Sequence, residues 1–147
     1  MGPCEPLPER YSRFTRMDRE KVPSELAKLP IDEQLDIYLY LKTNVHPPIN
    51  YGEDIAMQGD AVVPGVRAAL TRARGDRERA LLIDILGTMA RLRAADGVHD
   101  PVTTAVVRQA IQTMESERYR ESALRDLQDI VELRSPAERL PRERPAR

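Results

Sequence analysis

Residues 66–92 read VRAALTRARGDRERALLIDILGTMARL, and residues 107–133, which begin 41 positions later, read VRQAIQTMESERYRESALRDLQDIVEL. At this offset two stretches of helical apolar spacing coincide, together with the turn between them and several arginines. The matched positions include Val66 with Val107, Arg67 with Arg108, Leu70 with Ile111, Asp76 with Glu117, Arg79 with Arg120, Ile83 with Leu124 and Leu86 with Leu127. Amphipathic helices match by chance at some offset, but chance would not also align turns and arginines so often. The alignment therefore predicts an internal repeat of two helical pairs.

Five helices are predicted from apolar residues at steps of three and four, over residues 32–45, 60–74, 76–92, 100–115 and 116–133. The helix over 76–92 is apolar over a wide arc, so we expect it to be central and buried on more than one side. Asp60 and Asp100 are the expected N-caps of their helices, and a short helix over 53–58 is expected to close at Gly59. No stretch alternates with period two between hairpin turns. The sequence therefore predicts an all-α fold of about five to six helices.

The composition indicates one domain with flexible ends. The chain has 147 residues, of which 41% are hydrophobic, and its 23 basic and 24 acidic residues give a net charge of −1. No run of about 18 apolar residues is present, so no membrane span is predicted. Prolines are concentrated in the first thirty and the last twelve residues. We therefore expect a flexible N-terminal segment over 1–23, a helical domain over 24–133 and a flexible basic tail over 134–147.

The stretch Asp76-Arg77-Glu78-Arg79, followed by Ile85-Leu86-Gly87-Thr88-Met89, resembles the HEAT-like repeat pattern of the armadillo and HEAT type. In that pattern an acidic residue and an arginine precede an apolar helix that ends in Leu-Gly. The second copy departs from it, with Gln128 in place of Gly87 and Ala105 in place of Pro64. The resemblance covers about residues 60–133 and implies a short solenoid of helical hairpins.

The resemblance also implies roles for the repeated charged residues. In HEAT-like proteins, acidic residues and arginines of successive repeats link into a ladder, which here would join Asp76, Arg79, Glu117 and Arg120. Arg67 and Arg108 would lie on the helices that line the concave surface, where they are candidates for partner contact. Solenoids present extended surfaces to other proteins. The resemblance therefore favours a non-catalytic protein–protein interaction module, and we expect neither enzymatic activity nor a cofactor. An acidic domain on a flexible N-terminal segment would suit an exported module of bacterial type.

The segment His46-Pro47-Pro48-Ile49-Asn50-Tyr51 combines two prolines with apolar and aromatic side chains. A stiff, exposed loop of this kind is typical of functional loops, which makes Ile49 and Tyr51 candidates for partner contact. Alternatively, both side chains fold back and cover the first helix. The sequence favours neither interpretation over the other.

A first alternative function is that of a small metal-dependent enzyme that uses the two histidines of the chain, His46 and His99. Each lies beside proline in a loop between helices, so a metal site or an acid–base pair would require both loops to converge. Neither belongs to a metal-binding pattern on a helix face, and no nucleophile elbow, phosphate loop or dinucleotide fingerprint is present.

A second alternative is a nucleic-acid-binding protein, because some HEAT-like proteins hold DNA on an arginine-lined concave face. The acidic excess of residues 24–133 and the absence of tryptophan disfavour this function. Nucleic acid is therefore an unexpected partner.

Cys4 is the single cysteine, so it cannot form an intramolecular disulfide or a cysteine-rich zinc site. Its position near the N-terminus suggests the mature part of an exported bacterial lipoprotein, with the signal trimmed and a lipid attached to Cys4. The alternative is an incidental thiol in a cytoplasmic protein.

Overall fold

The computed structural model describes residues 8–45 and 48–133, and these residues form eight α-helices and no strand. The helices are α1 (Glu9–Arg16), α2 (Val22–Ala27), α3 (Ile31–Asn44), α4 (Gly52–Ala56), α5 (Val63–Arg72), α6 (Asp76–Leu92), α7 (Pro101–Gln112) and α8 (Glu117–Glu132). Short 3-10 turns occur at Arg19–Lys21, Gly59–Val62 and Gly97–His99. The predicted all-α fold is confirmed for this part of the chain.

The expected number of five to six helices is too low, because α1 and α2 form within and next to the segment that was expected to be a flexible tail. Phe14 in α1 is 1% exposed, and Val22 at the start of α2 is fully buried. Arg19, between the two helices, donates a hydrogen bond to the buried Asp54 at 2.9 Å. Residues 8–23 therefore belong to the folded core, and the predicted boundary at residue 24 is wrong for them.

Residue spacing explains why α1 packs against the rest of the chain. Tyr11 and Phe14 are three residues apart, so both lie on one face of α1. The Tyr11 ring stacks on Tyr40 of α3 with ring centroids 3.7 Å apart, and the Tyr11 hydroxyl donates to Asp36 at 2.6 Å. Pro8 precedes the first helical residue, a place where proline is compatible with a helix. The predicted tail over 134–147 lies outside the described residues.

The remaining helices are arranged as neighbouring pairs. A short turn joins α5 to α6 and another joins α7 to α8, while α5 lies beside α7 and α6 lies beside α8. On the other side, α3 contacts α5 and α4 contacts α6. Two layers result, one of α3, α5 and α7 and one of α4, α6 and α8. Helix α6 lies in the middle, and its buried residues cover most of its circumference, as the wide apolar arc predicts.

The offset of 41 residues reappears in the polar contacts at the two hairpin turns. Arg79 donates to the Asp76 carboxylate at 3.2 Å and to the carbonyl of Ala73 at 3.4 Å. In the second hairpin, Arg120 makes the equivalent contacts with Glu117 and with the carbonyl of Met114. Each arginine thus links, by hydrogen bonds, the start of its own helix to the end of the preceding helix.

Asp76 also connects the first hairpin to the second. Its second carboxylate oxygen accepts hydrogen bonds from the backbone N–H groups of Glu115 at 2.9 Å and Ser116 at 2.8 Å. These bonds, with Ser116 the larger cause, hold the pKa of Asp76 below its ordinary value. Asp76 is therefore linked to the next hairpin by backbone amides. The expected ladder would instead have linked it to the arginine of that hairpin.

The N-caps differ in how well local sequence predicts them. Asp100 caps α7 as expected, accepting from the backbone N–H of Val102 at 2.9 Å. Asp60 does not cap α5, because it lies in the preceding 3-10 turn and accepts from the backbone N–H of Gly97 at 2.7 Å. Gly59 lies three residues after the end of the short helix α4. Its φ of 84° is a left-handed conformation that glycine adopts readily.

Helices α6 and α8 meet at Gly87, where a Cβ atom would overlap the carboxylate of Asp126. Asp126 is buried, and it accepts a hydrogen bond from Arg91 of α6 at 2.9 Å. Arg91 also contacts Asp129 at 2.8 Å and Asp84 at 3.4 Å. The missing side chain of Gly87 therefore allows a charged residue of α8 to lie directly against the α6 backbone.

We predict that Gly87→Ala destabilises the protein, although alanine is the better helix former by roughly 0.5–1 kcal/mol. The added methyl group displaces Asp126 or α8, and overpacking of this kind costs about 1–3 kcal/mol. Thermal unfolding followed by circular dichroism measures the change. Gly75→Ala is the matched control, since nothing lies within 4 Å of a Cβ there and the φ of −171° suits any residue. A Gly87→Ala protein as stable as the Gly75→Ala protein would contradict the predicted close contact.

We predict that Phe14→Ala lowers the free energy of unfolding by about 3–5 kcal/mol, the usual range for removing a buried aromatic ring. Arg16→Ala, at an exposed position of the same helix, should change it by no more than about 0.5 kcal/mol. Urea titrations of the three proteins measure both values. Equal effects of the two substitutions would show that α1 does not contribute to the core.

Candidate functional site

A groove with a volume of about 420 Å³ runs between α5 and α7. Its walls are mainly small and aliphatic side chains, namely Leu70 and Ala73 on one side and Ala105, Val106 and Ala110 on the other. Val102 is 57% exposed and continues the same flank of α7, because it lies three and four residues before Ala105 and Val106. The groove is therefore an apolar surface that the described part of the chain leaves open.

The groove exists because each helix turns its larger apolar side chains inward. Val66 of α5 and Val107 and Ile111 of α7 are buried in the core. The groove is lined by short side chains on both helices, Ala73 after α5 and Ala105 and Ala110 on α7, which do not fill the space between the helices. The position of the groove was not predictable from helix periodicity, because periodicity predicts the buried face of each helix but not the distance between neighbouring helices.

Arg67 does not line this groove, but it lies one turn before Leu70 on α5 and links α5 to α7. Its Nη1 donates to the hydroxyl of Thr103 on α7 at 3.2 Å. Thr103 is fully buried, and its hydroxyl donates in turn to the carbonyl of Gly97 at 3.1 Å. Within residues 8–45 and 48–133, no carboxylate forms an ion pair with Arg67. The Arg67 guanidinium is thus held in place by a neutral group.

Two aspartates lie near Arg67 but have other partners. Asp60 and Asp100 line a smaller cavity of about 290 Å³ together with Arg67. Each accepts a backbone N–H bond, Asp60 from Gly97 and Asp100 from Val102. Both carboxylates therefore stabilise the local backbone, and neither forms an ion pair with Arg67.

Arg108, the repeat equivalent of Arg67, does not lie in the groove. It is exposed, and it follows Val106 by two residues, or about 200° of rotation at 3.6 residues per turn. This places it on the flank of α7 that faces away from α5. The structure therefore separates the two arginines that were expected to share one surface.

Tyr51 is 6% exposed and belongs to the core, so its prediction as a partner-contact residue is wrong. Its hydroxyl donates to the carbonyl of Phe14 at 2.7 Å, and the two rings meet edge to face with centroids 6.4 Å apart. Ile49 is half-buried and packs against the same core. Both side chains fold back onto the domain, as the alternative interpretation of this loop proposed, and Tyr51 packs against Phe14 of α1.

The structure places His99 but not His46, which lies outside the described residues. His99 Nδ1 is 2.7 Å from the carbonyl of Ile130, so this nitrogen carries the proton and donates. Within the part of the chain that the structure describes, no group of three or more His, Cys, Asp or Glu side chains could hold a metal ion. The convergence of the His46 and His99 loops that the metal-dependent alternative requires stays untested, as does lipid attachment at Cys4, another residue outside the described ranges.

A second cavity, of about 460 Å³, lies between α3, the end of α5 and the start of α6. Charged residues of both signs line it, namely Asp32, Asp36, Glu78, Arg72 and Arg74. With these charges in its walls, the cavity is less suited to apolar side chains than the α5/α7 groove.

The charged cluster between α6 and α8 is a further feature that sequence reasoning missed. The pKa of Asp126 is raised from its ordinary value of 3.8 to about 6, chiefly by burial and to a lesser extent by the carboxylates of Asp84 and Asp129, while Arg91 opposes the shift. Helix periodicity places Asp126 on the buried face, between Ala123 and Ile130, and that placement was the available signal. The cluster lies between α6 and α8, and its residues line neither the α5/α7 groove nor the cavity beside α3.

We predict that Asp126→Asn changes the pH dependence of stability. Because the folded state raises this pKa, ionised Asp126 destabilises the fold above about pH 6, and the destabilisation is relieved as the pH falls from 6 towards 4. Asparagine cannot ionise, so the variant should gain stability relative to the wild type at pH 7.5 by about 1–2 kcal/mol more than at pH 4.5. Urea titrations at both pH values measure this difference.

Asp129→Asn controls for the loss of one Arg91 partner at a more exposed position. Parallel stability profiles of the wild type and Asp126→Asn between pH 4.5 and 7.5 would contradict the prediction.

The described part of the chain contains no helix that is both long and apolar enough to cross a membrane. Comparison of the chain with family models, with curated proteins and with solved structures gives no match.

Proposed function

We propose that the chain is a non-catalytic protein-binding module, built as a short HEAT-like stack of helical pairs, which holds its partner in the α5/α7 groove. The observation that carries this proposal is the groove itself, about 420 Å³ in volume and lined mainly by apolar side chains. Concave apolar surfaces with a few polar groups are typical of binding sites. The exposed Val102 beside the groove extends this surface.

The arrangement of the helices supports the HEAT-like part of the proposal. Neighbouring pairs lie side by side, and equivalent arginine contacts close the two hairpin turns. In proteins built from stacked repeats, successive helices form extended binding surfaces. A groove between α5 and α7 is a surface of that kind, since the two helices come from successive hairpins.

The polar groups of the groove are better suited to contact with a protein partner than to catalysis. The hydroxyls of Thr71 and Thr113 donate to carbonyls of their own helices, those of Ala68 and Ala110. Arg79, at the C-terminal end of the groove, is paired with Asp76. These groups are thus engaged in local structure, and the apolar walls provide most of the surface that a partner would meet.

We predict that Ala105→Glu abolishes partner binding without unfolding the protein, because Ala105 is exposed and lines the groove. Ala27→Glu is the matched control, an identical substitution at an exposed position of α2. Each protein would be immobilised and used to capture proteins from an extract of the organism that encodes it, and circular dichroism would check helicity. A partner retained by the wild type and Ala27→Glu should be lost from Ala105→Glu.

Binding of that partner would then be measured with the purified proteins, where Ala105→Glu should weaken affinity at least about tenfold, equivalent to about 1.4 kcal/mol. If capture by Ala105→Glu equals capture by the wild type, the groove is not the binding surface.

A further inference from the structure

We propose that the cavity between α3 and α5 is a second contact surface, which binds a helical protein segment whose two ends carry opposite charges. The basic end of that segment lies at Asp32, and its acidic end lies at Arg72 and Arg74. The inference goes beyond the proposed function, because it concerns a different surface from the α5/α7 groove. It is carried by the way in which charges are placed along the cavity.

Helices α3 and α5 are parallel. At their starts, the side chain of Ile31 on α3 lies directly against Gly65 on α5. At their ends, Arg77, which follows α5 after a short turn, donates to the carbonyl of Lys42 on α3 at 3.1 Å. The two helices therefore point the same way along the cavity of about 460 Å³ that they line.

Parallel packing places charges of opposite sign at opposite ends of the cavity. The helix macrodipole favours carboxylates in the first turn of a helix and arginines in the last turn. Asp32 lies in the first turn of α3, and Arg72 lies in the last turn of α5. Because Arg72 is seven residues beyond Gly65, it is separated from Asp32 by roughly 10 Å along the helix axes. One end of the cavity is thus acidic and the other is basic.

The charges at the two ends have no ionic partner within residues 8–45 and 48–133. No ion pair there involves Asp32, Arg72 or Arg74. All three side chains belong to exposed residues that line the cavity. A partner can therefore meet each of them without breaking an existing ion pair.

The two other carboxylates of the cavity have partners of their own. Asp36 accepts from the hydroxyl of Tyr11 at 2.6 Å and pairs with Arg10 at 3.1 Å. Glu78 accepts from the backbone N–H of Arg74 at 3.4 Å. Neither forms an ion pair with the arginines of the basic end, so a carboxylate from a partner can still bind there.

The wall between the charged ends is aliphatic. It includes Leu39 and Ala69, which are half-buried. An amphipathic helix that lays its apolar face into a groove is a recurrent mode of recognition, and a distance of roughly 10 Å corresponds to about two helical turns. Helices favour acidic residues near the N-terminus and basic residues near the C-terminus. A segment of that kind matches the cavity when it lies antiparallel to α3 and α5.

Other occupants match only one end of the cavity. Residues 134–147 carry five arginines against two glutamates, so they complement Asp32 but not Arg72 and Arg74. The phosphates of a nucleic acid complement the arginines, but Asp32 repels them. A segment with both charges satisfies both ends.

The test uses a fluorescent 15-residue peptide, stapled as a helix, with glutamates at positions 3 and 4, leucines at 7 and 14 and lysines at 10 and 11. These positions share one helix face. Three analogues carry four glutamates, four lysines or four glutamines at the charged positions. Fluorescence anisotropy with the full chain measures each affinity at about 50 and 300 mM NaCl. The mixed peptide should bind at least about fivefold more tightly than each analogue, and salt should reduce the difference.

Charge-reversal variants locate the two ends. Asp32→Lys should weaken binding of the mixed peptide at least about fivefold, and it should bind the all-glutamate peptide more tightly than the wild type does. Arg72→Glu should likewise weaken the mixed peptide and strengthen the all-lysine peptide. Glu33→Lys is the matched control, an identical reversal of charge in the same turn of α3 at an exposed residue that does not line the cavity. It should leave the affinity unchanged, and circular dichroism checks that each variant is folded.

The remaining outcomes separate this inference from the proposed function. Equal binding of the four peptides, equal weakening by Asp32→Lys and Glu33→Lys, or no binding of the mixed peptide would overturn the second surface. Ala105→Glu should bind the mixed peptide as the wild type does. Binding that is lost in Ala105→Glu but kept in Asp32→Lys would overturn the second surface and support the α5/α7 groove. A single-stranded DNA that binds more tightly than the mixed peptide, and more weakly to Arg72→Glu, would overturn it in favour of nucleic acid.

Discussion

The contact between Gly87 and Asp126 is the constraint on which the arrangement of the two hairpins depends. A buried carboxylate is costly unless it is paired, and Arg91 of α6 provides the partner at 2.9 Å. The contact is close because Gly87 has no side chain. Helix α8 therefore has one position along and around α6, and with α8 fixed, the turn before it fixes α7. The width of the α5/α7 groove is a consequence of packing in the opposite layer.

A second connection acts at the other end of the hairpins. Asp76 accepts the backbone N–H groups of Glu115 and Ser116, which begin the turn into α8. One connection lies at Gly87, in the C-terminal half of α6, and the other at its first residue, so contacts at two separate places position α8 relative to α6. The hydrogen bond between Arg67 of α5 and Thr103 of α7 then links the two helices beside the groove. The orientation of the Arg67 guanidinium thus depends on contacts that lie outside the groove.

The sequence predicts the features that depend on local spacing. The helix over 76–92 has the predicted bounds, and Asp100 caps α7 because its acceptor and donor are two residues apart. Features that depend on distant residues were not predictable. Asp60 bonds Gly97, which is 37 residues away, and α1 is too short to be stable without the core that buries Phe14. The groove belongs to the second group, because it depends on where α7 lies and not on the pattern of α7 alone.

The repeat itself shows why equivalent positions differ in function. Ile83 is fully buried between neighbouring helices, whereas its equivalent Leu124 is 46% exposed, because no described helix packs beyond α8. Arg67 and Arg108 differ for the same reason: α7 lies beside Arg67, and no described helix lies beside Arg108. Within residues 8–45 and 48–133, Arg67 therefore lies between two neighbouring helices of one layer, whereas Arg108 lies on the outer flank of that layer.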